Sequence, residues 1–301
     1  MKLLTFKRNG FTRLGVKTIR GVVDVTAALE LVAPDGAAVV PQTVHAVIDG
    51  GHAAVESLQS YVDKALASGE SSFVLDEEGL LFGPCVTNPG KLICVGLNYR
   101  KHAEETKAPI PEYPILFNKF SNTLAGHKQD IELPRTSSEV DYEVELAIVI
   151  GKKAKYVEKE NALDYVFGYS AVNDLSARDL QLRTPQWMLG KICDGFSPLG
   201  PYLVTADEVG DPNSLALRTR VNGELRQNSN TSDMIFYCNE IVSYISQHMT
   251  LSPGDVILTG TPEGVVLGYP KEKRVYLQPG DVVEIEIEKL GKLVNRMVAE
   301  A

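Results

Sequence analysis

The sequence predicts an α+β fold rich in β-strand. Short runs of Val, Ile, Leu and aromatic residues, bounded by turn formers, recur through most of the chain, while few stretches show the spacing of an amphipathic helix. The strands also follow one another without the regular strand–helix alternation of a parallel α/β sheet. A mixed or antiparallel sheet is therefore expected.

Residues 1–85 hold short β-like pieces at 2–6 and 21–25, then a helix on which Val55, Leu58, Val62 and Leu66 share one face and Gly69 supplies the stop. No constellation there suggests chemistry, and His45 and His52 stand alone. The segment 83–90 (Gly-Pro-Cys-Val-Thr-Asn-Pro-Gly) is dense in turn formers and marks a boundary between a small N-terminal domain (1–85) and a larger domain (86–301). Beyond it, 92–95, 115–120, 144–150, 169–172, 202–204, 256–259 and 282–288 read as strands. Asn222-Gly223 is a strong hairpin signal, and Leu290-Gly291 suggests a second. The main helix is expected over about 232–248, with Met234, Cys238, Ile241, Val242 and Ile245 on one stripe and Thr231 or Ser232 as cap.

Composition narrows the function classes. Thirty Lys and Arg stand against 39 acids, a net charge of −9, and no basic block suggests nucleic-acid binding. The N-terminal apolar run is too short for a signal peptide, and no stretch has membrane-spanning length, so a cytoplasmic protein without a membrane partner is expected. Cys85, Cys94, Cys193 and Cys238 lie far apart, which argues against a zinc site of the usual spacing.

The most informative segment is 139–151, where Glu143 and Glu145 stand two apart at the start of a Val- and Ile-rich run. In a strand such residues share a face. Two adjacent carboxylates at the edge of a core call for a cation, and oxygen-only donors favour a hard ion such as Mg²⁺ or Mn²⁺. Taken alone, Glu-x-Glu reads first as a solvated strand face. Asp174 follows a strand-like run; it is a turn cap by itself and a third carboxylate if joined to the other two. In 95–105, a short helix would place His102 and Glu105 on one face as an oriented base, or else leave Glu105 to pair with Lys101. Lys119 and Lys191 sit among apolar neighbours and either neutralise acids, stabilise an oxyanion or reach to the surface. The run 258–265 (Leu-Thr-Gly-Thr-Pro-Glu-Gly-Val) offers hydroxyls and backbone amides that suit a carboxylate, and it lacks the pattern of a phosphate-binding loop.

Taken together, Asn98-Tyr-x-x-His-x-x-Glu105, Asp141-Tyr-Glu-Val-Glu-Leu-Ala-x-Val-Ile-Gly151, Asn173-Asp-Leu-Ser-Ala-Arg-Asp179, Gly190-Lys191, Val221-Asn-Gly-Glu-Leu-Arg-Gln227 and Leu258-Thr-Gly-Thr-Pro262 closely resemble the fumarylacetoacetate hydrolase family over about 92–298. The resemblance implies a mixed β-sandwich roll as catalytic domain, a Mg²⁺ or Mn²⁺ ion and a homodimer. It implies Glu143, Glu145 and Asp174 as metal ligands, His102 with Glu105 as the base pair on a mobile lid, and Lys191 as an oxyanion-facing lysine. Lys119, Arg178, Gln181 and Thr261 are expected near the substrate. The N-terminal part is shorter than that of true fumarylacetoacetate hydrolases, so the chain is more similar to the bacterial branch of its own length and to compact acylpyruvases and oxaloacetate decarboxylases. The implied activity is hydrolysis of a C–C bond in acylpyruvate-like 2,4-dioxo acids through a metal-stabilised enolate. Oxaloacetate decarboxylation and isomerisation of 2-oxo-enoic diacids are the alternatives on the same site. The sequence leaves open the group beyond C4 of the substrate, because loop side chains such as Trp187 and Arg183 can shape that pocket in ways the sequence does not fix.

Overall fold

In the computed structural model, which describes residues 1–36 and 38–300, the fold is built outward from the strand Val144–Ile150, buried on both faces. Its side chains alternate between two cores, as period-2 geometry requires. Val144, Leu146, Ile148 and Ile150 enter the core between the two sheets, while Ala147 and Val149 enter a second core that includes residues of the N-terminal helices.

On one side this strand pairs antiparallel with Val166–Asn173, which continues through Ser197–Thr205 to Lys2–Arg8, Phe11–Thr18, Gly21–Asp24 and Val74–Leu75. On the other side it pairs with Val256–Leu258, then in parallel with Leu92–Gly96, and ends at the edge strand Ile115–Lys119. A second, five-stranded sheet packs across it, in the order Glu224–Asn230, Ala216–Val221, Val282–Ile287, Gly291–Ala299, Ile131–Leu133. The fold is thus the predicted β-rich α+β roll with mixed sheets.

The large sheet runs across residue 85: Leu3 pairs with Leu203, and Thr5 pairs with Gly83. Residues before 85 add two helices, Val25–Leu31 and Val44–Ala67, to one face of it. The second is longer than the apolar spacing alone marks. Thr43 caps it by accepting from the Ala46 N–H at 3.1 Å, and Gly51 breaks its dihedrals. The strand Phe11–Thr18 escapes sequence reading because charged residues interrupt its apolar alternation. Both hairpins form, one turning at Asn222-Gly223 and one between Ile287 and Gly291.

The main helix begins later than its periodicity suggests, at Cys238 rather than near 232. The cause is Asn98. Its backbone carbonyl accepts from the Ile235 N–H at 2.8 Å, and its side-chain oxygen accepts from the Phe236 N–H at 2.8 Å. Those N–H groups are taken by a buried side chain and its backbone before a helix can use them. Among the described residues, no helix is long and apolar enough to cross a membrane.

Ile148 is fully buried at the centre of the large sheet. Ile148→Ala is expected to cost roughly 2–5 kcal/mol and Ile148→Val about 0.5–1.5 kcal/mol. Urea titrations check this: the midpoint should fall in that order with the slope unchanged.

Candidate active site

Glu143 directly precedes the central strand and Glu145 lies in it, on the face that also carries Ala147 and Val149. The antiparallel register pairs Val144 with Asn173, and the Asp174 N–H donates to the Glu143 carbonyl at 3.0 Å. This brings Asp174 beside the two glutamates. One oxygen from each of the three buried carboxylates lies within 4.8 Å of the others.

Carboxylates withdrawn from water need compensation. Lys191 Nζ donates to Glu143 Oε2 and Asp174 Oδ2, each at 2.7 Å. Arg178 Nη2 donates to Glu143 Oε1 at 2.7 Å, and its Nε to Asp141 Oδ2 at 2.9 Å. Lys119 Nζ donates to Asp174 Oδ1 and, at 2.6 Å, to the Phe196 carbonyl. Four buried carboxylates, Asp141 included, thus face three buried cations, one negative charge in excess. The excess falls on Glu145, which accepts the Gly260 N–H at 2.8 Å and pairs with no cation among the described residues.

The proton affinities follow. Burial pushes Glu145 well above the usual carboxylate range, and the charges of Asp174 and Glu143 add to the effect. Burial would raise Glu143 too, but Lys191 and Arg178 outweigh it and bring it to about 2. Burial would lower Lys191, yet Asp174 and Glu143 hold it above the ordinary lysine value. Crowded oxygen donors with one uncompensated charge fit a hard divalent cation, which Glu143, Glu145 and Asp174 would hold.

The helix Arg100–Glu105 faces this cluster. His102 Nδ1 and Glu105 Oε1 are 2.8 Å apart, and Glu105 Oε2 accepts the Gly264 N–H at 3.0 Å. Lys101 points instead towards Glu263, at 3.8 Å, so the alternative pairing with Glu105 does not form. His102, the three acids, Arg178, Gln181, Lys191 and Thr261 line one cavity of about 150 Å³.

Lys119 is a correction. Expected among the substrate contacts, it does not line the cavity; its ammonium is buried behind Asp174, which it braces. The glycine-rich run 258–265 does hold carboxylates with its amides, and they are the protein's own: Gly260 that of Glu145 and Gly264 that of Glu105, while just beyond it Val266 and Leu267 hold that of Asp141 at 2.9 and 3.0 Å.

Sequence reading assigned no role to several residues that shape the site. Asp141 links Arg178 to the 266–267 backbone. Gln227 accepts from the Val144 N–H at 3.0 Å and donates to Thr261 Oγ1 at 2.9 Å, tying the small sheet to the site. Both stand inside the motifs quoted above, which was the available signal. Gly190 allows the short helices Arg178–Gln181 and Met188–Lys191 to touch: a Cβ there would meet the Ala177 carbonyl and Gln181 Cβ at 2.5 Å.

Comparison with known proteins agrees with this site. The fumarylacetoacetate (FAA) hydrolase C-terminal model matches residues 91–298. The chain is 43% identical over 260 residues to the mitochondrial oxaloacetate tautomerase fahd2 of Xenopus laevis, covering 86% of this chain and 79% of that protein. Two solved structures each match over the full length of both chains. Fumarylacetoacetate hydrolase from Exiguobacterium antarcticum has a TM-score of 0.80 at 35% identity. Maleylpyruvate hydrolase from Sphingobium sp. SYK-6, in complex with manganese(II) ion and pyruvate, has 0.78 at 31%. In sequence and in fold, this chain belongs to the fumarylacetoacetate hydrolase family of enzymes.

Proposed function

We propose that the chain is a Mg²⁺- or Mn²⁺-dependent enzyme of small 2-oxo acids, and that its reaction is keto–enol tautomerisation of an oxaloacetate-like diacid. The observation that carries this reading is one cavity in which Glu143, Glu145 and Asp174 meet His102. The relative named as an oxaloacetate tautomerase, similar over most of both chains, supports the choice of reaction.

A divalent ion held by the three acids would supply the Lewis acid that draws electron density onto the C2 oxygen. The chain's own residues do the rest. Glu105 engages Nδ1 of His102, which leaves Nε2 as the basic nitrogen for the substrate. Nε2 takes a proton from C3, acidified by the neighbouring carbonyl, and delivers it to the C2 oxygen. No carbon–carbon bond breaks and no water is consumed. Lys191 spends two of its three N–H groups on Glu143 and Asp174, and the third is free to steady a substrate oxygen.

Charge and size point the same way. A doubly charged ion turns the buried excess from one negative to one positive charge, which suits an anionic substrate. The cavity measures about 150 Å³. That is smaller than the roughly 300–1,000 Å³ of pockets for drug-sized ligands. It favours a four-carbon acid over an extended acyl substrate.

Hydrolysis of an acylpyruvate is a second reading, favoured by the likeness to maleylpyruvate hydrolase and by a His102–Glu105 pair equally able to take a proton from water. A side-by-side assay of oxaloacetate keto–enol exchange and decarboxylation, and of acetylpyruvate and fumarylpyruvate hydrolysis, with each metal, separates the readings. Metal-dependent exchange of oxaloacetate faster than any hydrolysis is the expected result; hydrolysis alone would replace it with the second reading.

His102→Gln keeps a polar side chain but removes the titrating ring, and it should slow oxaloacetate exchange by on the order of 10²-fold or more. Glu105→Gln should act alike, because the two work as a unit. Undiminished exchange in His102→Gln would exclude His102 as the base.

The acids should separate in stability. Glu145→Gln removes the carboxylate that lacks a cationic partner, so the thermal midpoint of the metal-free protein should hold or rise. Asp174→Ala leaves the buried Lys119 with no carboxylate and takes one of two from Lys191, and should cost roughly 3–5 kcal/mol. Calorimetry should find divalent-ion binding weakened in both by on the order of tenfold or more. Parental affinity in either would remove that residue from the ligand set.

A further inference from the structure

The cavity has an apolar end that the proton transfer above does not use. From the acids its wall passes to Lys191, whose ammonium lies 5.2 Å from the centroid of the Phe117 ring. It then passes to Phe117, against which Trp187 stands edge-on at 5.7 Å. Trp187 immediately precedes the helix Met188–Lys191, so the backbone that presents the indole also presents the lysine of the acid cluster. The ring has no room to withdraw past Gly96. A Cβ at position 96 would fall 2.3 Å from Cζ3 of the indole, so the ring rests on bare backbone at the end of the strand Leu92–Gly96. On one side it meets main chain and on another an aromatic ring.

We infer that Trp187 sets the length of substrate that this site accepts, closing the apolar end so that a 2-oxo acid enters only with a short substituent beyond C3. The inference rests on the 2-oxo acid reading and deepens it. The head of the molecule is bound at the acids, and the tail runs past Phe117 and ends on the indole. Side chains that merely fill a pocket discriminate by about 10–200-fold per methylene. A ring backed by main chain lies at the steep end of that range, because the Gly96 backbone leaves it no room to retreat.

Trp187 is also the single tryptophan of the chain, so its emission reports on this end of the cavity alone. The test titrates Mg²⁺-loaded protein with straight-chain 2-oxo acids, from pyruvate to 2-oxooctanoate, and follows heat and tryptophan emission in parallel. In the parent, affinity should fall by on the order of tenfold or more along the series, and 2-oxo acids that give heat and extend beyond C3 should shift the emission. In Trp187→Ala, followed by heat, the ratio of 2-oxooctanoate to pyruvate affinity should rise by on the order of tenfold or more. Trp187→Phe, which preserves an aromatic wall, should give an intermediate ratio and serves if the alanine variant fails to fold. An affinity ratio unchanged from the parent in the folded variants overturns the assignment. So does binding heat from 2-oxobutanoate or a longer acid with no change in parental emission. A steep length profile that flattens in Trp187→Ala, in a protein that does not accelerate keto–enol exchange of oxaloacetate, would sink the tautomerase reading and uphold Trp187 in its role.

Discussion

The site depends on one constraint: three carboxylates must stand together out of water. Glu143 and Asp174 are tolerated there because Lys191 bridges them, while Arg178 and Lys119 each take one more oxygen. These cations come from three separate elements: the edge strand Ile115–Lys119 and the helices Arg178–Gln181 and Met188–Lys191. The same ion pairs that make the acid cluster possible therefore lock the edge of the sheet and both short helices around it. Stranding a buried charge typically costs several kcal/mol, whereas a matched pair adds little net stability. The network thus acts more on position than on overall stability. Glu145 is left unmatched, and that keeps the cluster receptive to a cation.

A second layer of contacts fixes the loops over the cavity. Three carboxylates, those of Asp141, Glu105 and Glu145, accept N–H groups from the backbone between Gly260 and Leu267. Charge-assisted bonds of this kind are short and strong. They join the segment to the His102–Glu105 pair, to Arg178 and to the acid cluster together. Glu105 therefore has two tasks: one oxygen orients His102, and the other ties the helix Arg100–Glu105 to Gly264.

The arrangement also explains why relatives of similar fold carry names from different reaction classes. Acids that hold an ion and a histidine held by a glutamate provide polarisation and proton movement, and neither device specifies what leaves the substrate. On the reaction proposed above, the outcome would turn on what fits beyond C3 and on whether water is admitted, and the walls there are formed by Phe117, Leu182, Trp187 and Leu267.

Much of this was legible in the sequence because it is local. Glu143 and Glu145 share a face through strand period, and His102 and Glu105 meet through helix spacing. Asn222-Gly223 makes a hairpin from its own backbone preferences. Each of these rests on residues a few positions apart, where geometry follows directly from dihedral angles. What only the tertiary structure decided lies across long separations. Asp174 joins the glutamates through the register of two antiparallel strands. Lys119 stays out of the cavity because it is held behind Asp174, 55 residues along, and by the Phe196 carbonyl. The main helix starts late because Asn98, more than a hundred residues earlier, occupies its first N–H groups. Trp187 lines the cavity where it does because Gly96, at the end of the strand Leu92–Gly96, leaves room for its ring. Local pattern states what each residue can do; which charge it meets, and which wall it forms, is settled when burial forces distant polar and aromatic groups to satisfy one another.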